Sequence, residues 1–156
     1  MTTENDMHIN LGGTTTRKVD ALLAHYGESH RHPVNEMIHF VAIPLILLSL
    51  VGLMYALHPW LAYAFVAASL VYYARLSLVF LLAMVLVSLL VFWLIGQMGD
   101  QVWQTSLLIF IGAWIAQFIG HYLEGKKPSF FEDIQYLWVG PLFVLSKLFG
   151  KLGIKW

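Results

Sequence analysis

From Met37 to Leu123 the chain carries two charged side chains, Arg75 and Asp100. An uncharged apolar run of about 20 residues is long enough to cross the hydrocarbon core of a bilayer. In lipid such a run has to satisfy its own backbone, which a helix does. Composition agrees: 59% of the 156 residues are hydrophobic and 12% are charged, with a mean hydropathy of +0.71. Soluble domains carry about 25% charged residues. The expected fold class is therefore all-α, an integral membrane four-helix bundle. The formal net charge of zero argues against a nucleic-acid partner, whose phosphates call for a basic surface. With no cysteine in the chain, disulfides, thiolate metal sites and cysteine nucleophiles are excluded.

Residues 1–16 are polar and expected to be disordered. They lack the basic-then-apolar order of a cleaved signal peptide, so the first apolar segment is expected to act as its own insertion signal. Residues 17–156 read as a single membrane domain. From Thr16 to Ser29, Val19, Leu22, Leu23 and Tyr26 share one helical face. That helix is too short and too charged to span and is placed at the interface. Pro33 suits the first turn of the next helix. Spans are expected at about 36–57, with a kink at Pro44, and at 59–74, 76–96 and 104–123. The second has aromatic ends (Trp60, Tyr63, Tyr72, Tyr73) and lies near the lower length limit of about 17 residues.

The basic residues orient this arrangement. With the N-terminus inside, all nine fall on the cytoplasmic side: Arg17, Lys18, Arg31, Arg75, Lys126, Lys127, Lys147, Lys151 and Lys155. The outer loops, around His58-Pro59 and from Gly96 to Trp103, hold none. Both termini are then cytoplasmic, in a bacterial inner membrane or the endoplasmic reticulum. A fifth span at 134–149 would send Lys151 and Lys155 outside and is rejected. Residues 130–138 show helical spacing, Gly140-Pro141 breaks it, and the C-terminal region is expected to be interfacial or re-entrant.

This topology puts the start of the first span and the end of the fourth at the same membrane face. His30, His32, Asn35, His39, His121 and Glu124 can then converge, while His58 falls on the opposite side. Asn35 and His39 share a face at i, i+4, and Gln117, His121 and Glu124 form a polar stripe at i, i+4, i+7. Ionisable groups in a membrane segment point inward or at water and carry function by default. Imidazole with carboxylate suits iron, zinc, copper or nickel better than magnesium or calcium. Two or three histidines, with or without a carboxylate, would leave positions open for substrate and dioxygen on Fe(II).

Each residue also has a structural reading. His25 suits the wet face of the interfacial helix, and His32 before Pro33 suits an N-cap. Glu124 can pair with Lys126 or Lys127. Asn35 and Gln117 suit orienting a ligand or joining two helices. Tyr26 and Tyr122 suit interfacial anchors, and Arg31 suits the cytoplasmic rim. No H-E-x-x-H, P-loop, G-x-S-x-G or di-iron histidine box is present.

The segment His30-Arg31-His32-Pro33-Val34-Asn35-Glu36-Met37-Ile38-His39, leading to Ile43-Pro44-Leu45, resembles the opening motif of the Mpo1-like family. Gln117 to Pro128, followed by Phe130-Phe131-Glu132-Asp133, resembles its second motif. The likeness covers about residues 18–150. One departure is Ala42, where many relatives have glycine. The resemblance implies an Fe(II)-dependent dioxygenase that shortens 2-hydroxy fatty acids by one carbon in α-oxidation, with dioxygen as co-substrate and membrane lipid around it. It implies iron ligands at His30, His39 and His121, with His25, His32, Asn35, Gln117 and Glu124 as supporting or additional positions. Rival readings are a zinc-dependent lipid hydrolase on the same residues, a non-enzymatic membrane scaffold, and haem held between two helices. Acyl chain length and oligomeric state are not readable from the sequence.

Overall fold

The computed structural model describes residues 8–11, 14–28, 30–125 and 136–156. One short hairpin precedes the helices. Strand β1 (His8–Leu11) pairs antiparallel with β2 (Thr14–Arg17), His8 opposite Arg17 and Leu11 opposite Thr14. At these positions a hairpin stands where the polar sequence suggests disorder. The β-branched Thr14, Thr15 and Thr16 favour extended backbone there.

Six helices follow in the described residues: α1 (Lys18–Gly27), α2 (Pro33–Leu57), α3 (Pro59–Ala74), α4 (Leu78–Gln97), α5 (Val102–Glu124) and α6 (Val139–Leu152). A 3-10 turn, Gly99–Gln101, leads into α5. Two His-Pro pairs start helices by the same device. His32 caps α2 by accepting the Val34 N–H at Nδ1 (3.2 Å), and His58 caps α3 by accepting that of Trp60 (3.3 Å). In both, the proline sits in the first turn, where its missing N–H costs nothing. Helix α2 runs on through Pro44. Helix α5 ends at Gly125, whose φ of 74° is the left-handed stop that glycine adopts without strain.

Three segments are long and apolar enough to cross a membrane: Pro33–Leu57, Leu78–Gln97 and Gly99–Glu124. Helix α3 is apolar but has 16 residues, so three helices among the described residues reach that length. Outward-facing residues match lipid. On α4, Leu82, Leu86, Leu89 and Trp93 are exposed and form one stripe, a liability in water and ordinary against acyl chains.

The C-terminal region departs from the sequence reading. Gly140 and Pro141 do not end a helix; they lie in the first turn of α6, where proline is tolerated. The 130–135 part of the anticipated helical pattern lies outside the described residues, and Tyr136 to Trp138 form a turn. Trp138 ties that turn to α3. Its indole N–H donates to Ser69 Oγ (2.8 Å), and the Tyr73 hydroxyl donates to its carbonyl (3.0 Å).

Helix α1 rests on α6 through buried Val19 and Tyr26. Val19, Tyr73, Phe80, Leu142 and Phe149 form a core joining α1, α3, α4 and α6. Arg17 reinforces this end, pairing with Asp20 (2.9 Å) and donating to the Trp156 carbonyl.

Among the described residues α2 and α5 share the most extensive helix–helix contact, and they run in opposite directions. At one end Gly52 lies against Ser106, and at the other Gly120 lies against Asn35. In lipid, apolar side chains gain little by leaving one apolar surface for another, so close approach at small residues and polar contacts hold helices together.

Candidate metal centre

Asn35 and His39 sit one turn apart on the inner face of α2, both fully buried. Facing them on α5 are Gly120 and His121, also buried. His30 comes from the connection between α1 and α2 and is 5% exposed. Its ring stacks on Tyr26 (centroids 4.3 Å, interplanar 13°) and lies 5.6 Å from the Phe143 ring of α6. One ring nitrogen from each of His30, His39 and His121 lies within 4.8 Å of the others. The ring centroids are 4.3 Å apart for His30–His39, 4.9 Å for His39–His121 and 5.8 Å for His30–His121.

Hydrogen bonds set the chemistry of two of these rings. His30 Nδ1 lies 2.8 Å from the Tyr26 carbonyl oxygen, and His39 Nδ1 lies 3.0 Å from that of Asn35. A carbonyl only accepts, so each Nδ1 carries the proton. In the neutral ring this leaves the lone pair on Nε2, the form a metal binds. The same i−4 arrangement fixes ring orientation at both positions.

Glu124, half-buried in the last turn of α5, joins the two motifs. Its Oε1 accepts the Arg31 N–H (2.9 Å), and its Oε2 accepts the His32 N–H (2.8 Å) and the Asn35 side-chain amide (3.0 Å). The carboxylate therefore fastens the His30-bearing connection and the start of α2 to the helix carrying His121. We expect Glu124→Gln, which turns one acceptor oxygen into an NH2 facing other donors, to weaken metal binding about 10–100-fold, the usual cost of losing an outer partner. Metal titration of the purified protein checks this, and unaltered affinity would remove Glu124 from the centre.

Other candidates lie elsewhere. His25 is exposed and sits 3.5 Å from Glu28. His32 is the α2 cap described above. Gln117 is buried one turn before His121 and lines a small cavity with Tyr26 and Trp114. Tyr122 is 80% exposed, and Arg31 is exposed at its side chain. Reading the sequence did not anticipate Tyr26 as the stacking partner and carbonyl acceptor of His30, though their i, i+4 spacing was a usable signal. It also gave no role to Gly120 or Phe143. Gly120 immediately precedes a buried histidine on a helix, a cue for close backbone approach.

The donor set fits a divalent first-row metal. Three buried imidazoles, two with the required tautomer enforced, suit iron or zinc and not a hard cation that wants oxygen ligands. Fold and site together define a class: an apolar helical protein with a metal-competent histidine cluster between the ends of two packed helices. A family model described as 2-hydroxy-palmitic acid dioxygenase Mpo1-like matches residues 16–152. The chain is also similar to the 2-hydroxy-palmitic acid dioxygenase MPO1 of Saccharomyces cerevisiae, 31% identical over 138 residues that cover 84% of this chain and 79% of the yeast protein. No solved structure matches it. This chain belongs to the Mpo1-like family, which supports a role as a fatty acid dioxygenase-like protein of lipid metabolism.

Proposed function

We propose that the protein is an Fe(II)-dependent dioxygenase that shortens 2-hydroxy fatty acids by one carbon, working at the cytosolic face of a membrane. The observation that carries this reading is the buried cluster of His30, His39 and His121 in a chain whose relative is named for that substrate. Residues 17–156 would form one membrane domain, with α3 as a fourth, short crossing and both termini on the side that holds all the lysines and arginines.

Each part of the site has a task in this scheme. His30, His39 and His121 would hold the iron through ring nitrogens. The Tyr26 and Asn35 carbonyls fix the orientation of two of those rings and leave Nε2 as the nitrogen that would bind a metal. Glu124 and Asn35 set the separation between the two motifs. Tyr26 and Phe143 cover the His30 ring and exclude water from its outer side. When bound, iron supplies a centre at which a chelating 2-hydroxy acid and dioxygen are brought together.

A second reading has a specific basis. The Glu124 oxygens are engaged by three N–H donors, so the cluster is all-histidine, and three histidines with an open position is also a catalytic zinc arrangement. The protein purified in detergent, stripped and reloaded with Fe(II) or Zn(II), separates the two. The dioxygenase reading expects a 2-hydroxy fatty acid to be shortened with oxygen uptake, only with Fe(II) and only in air. Turnover that persists without oxygen, or with zinc alone, defeats it.

A further inference from the structure

The reading above puts the polar head of a 2-hydroxy fatty acid at the three imidazoles, and its tail must leave them. A small cavity of about 20 Å³ lies beside the cluster. Its wall includes Tyr26, which stacks on His30, and Gln117, one turn ahead of His121. Through Ile43, Leu47 and Pro141, which line both, it adjoins a larger hollow of about 250 Å³ between α2, α4 and α6. All residues bordering that hollow are apolar; Leu48, Val87, Leu94 and Leu145 are among them.

We propose that this hollow is the acyl-chain subsite: the tail passes over Pro141 and lies along α4 toward Leu94. The inference rests on the 2-hydroxy fatty acid reading. Proximity to the histidine cluster selects this occupant: Tyr26, which stacks on His30, walls the small cavity, and that cavity shares Ile43, Leu47 and Pro141 with the larger hollow. Direction selects it too. From His39 to Leu48, α2 climbs roughly 14 Å at its 1.5 Å rise per residue, away from the charged end of the bundle and into its apolar middle. A head held at the cluster then sits at the polar rim, and the tail follows the helices inward. The smaller cavity has room for one water, so entry of the tail requires side chains that line it, Tyr136 and Leu137 among them, to give way.

Two measurements test this on the full-length, metal-loaded protein in detergent. First, 2-hydroxyhexadecanoic acid carrying a diazirine near its methyl end is bound, irradiated and mapped by peptide mass spectrometry. Label should fall on the α4 residues that line the hollow, Val87, Leu90, Val91 and Leu94, and be displaced by the unlabelled acid. Label confined to the outward stripe of Leu82, Leu86 and Trp93, or groove label that only phospholipid displaces, means that bulk lipid fills the hollow and overturns the proposal. Second, Leu94→Trp blocks the far end of the hollow. Each methylene pushed out of an apolar site weakens binding about fourfold. The ratio of kcat/KM for 2-hydroxyhexadecanoic over 2-hydroxyoctanoic acid should therefore fall on the order of tenfold or more, and an unchanged ratio overturns the proposal. Should the tryptophan variant fail to fold, the labelling of the unaltered protein decides alone. Absence of turnover on any 2-hydroxy acid by the unaltered, Fe(II)-loaded protein sinks the functional reading and the subsite together; turnover with failed labelling sinks the subsite only.

Discussion

His39→Ala should leave a helical protein that does not take up a metal ion, where the parent does. His39 is the centre of the cluster: it is fully buried, and its ring lies within 5 Å of both other imidazoles (4.3 and 4.9 Å between centroids). Removing it leaves two donors where three are needed to hold the ion and keep a position open. The expected loss of affinity exceeds the roughly 10–100-fold that outer partners cost. Thermal unfolding gives the cleanest readout. An ion that binds only the folded state raises the melting temperature in proportion to ln(1 + [metal]/Kd), so Fe(II) or Zn(II) should raise it in the unaltered protein and leave it unmoved in His39→Ala. His25→Ala and His58→Ala are the controls. The first residue is on the exposed face of α1, and the second caps α3 at the other end of α2, so both variants should bind metal as the parent does. Full metal stoichiometry in His39→Ala, or equal losses in all three variants, would mean that the cluster is not the metal site. A non-enzymatic scaffold whose histidines only join helices predicts no metal-dependent stabilisation in any of them.

Much of this arrangement was legible because a membrane segment tolerates so few polar residues. In α2 the pair Asn35 and His39 is conspicuous, and the i, i+4 rule puts both on one face; the structure buries both. The stripe of Gln117, His121 and Glu124 stands out in α5 for the same reason. The boundaries near Pro33, Leu57 and Pro59 follow from prolines and histidines whose capping chemistry is local. Illegible features are those fixed by tertiary partners. From the sequence Glu124 suits a lysine pair as well as a place at the histidine cluster, yet it accepts from backbone N–H groups about ninety positions earlier in the chain, and no local pattern announces a backbone donor. The start of α6 was misread because Gly-Pro is as good a helix opening as a helix ending, and only packing decides between them. Here Gly140 fits against Ile43 and the Tyr26 hydroxyl, and the Trp138 anchors on α3 hold the preceding turn in place.

Gly120→Ala tests whether backbone proximity sets the geometry of the centre, and the outcome depends on which of two opposed effects is larger. In a helix interior, alanine is favoured over glycine by about 1 kcal/mol. Gly112, on the same helix, has open space where a Cβ would go, so Gly112→Ala should be neutral or stabilising by up to about that amount. At Gly120 a Cβ would fall far inside contact distance of Asn35 Oδ1 and within 3.5 Å of His39 Cε1. Asn35 cannot swing aside cheaply, being fully buried with its amide donating to Glu124. Crowding of this kind costs about 1–3 kcal/mol, enough to cancel or outweigh the helix preference. Relief comes by moving α2 away from α5, which separates His39 from His121 and lengthens the Asn35–Glu124 contact at the same time. Gly120→Ala should therefore be less stable than Gly112→Ala by about 1–3 kcal/mol and bind metal about 10–100-fold more weakly than the parent. Gly52→Ala crowds Ser106 at the far end of the same helix pair and should lose stability while keeping metal affinity. Comparing the three separates a general packing defect from a displaced centre. If Gly120→Ala binds metal as tightly as Gly52→Ala does, the approach of α2 and α5 at Asn35 serves packing alone.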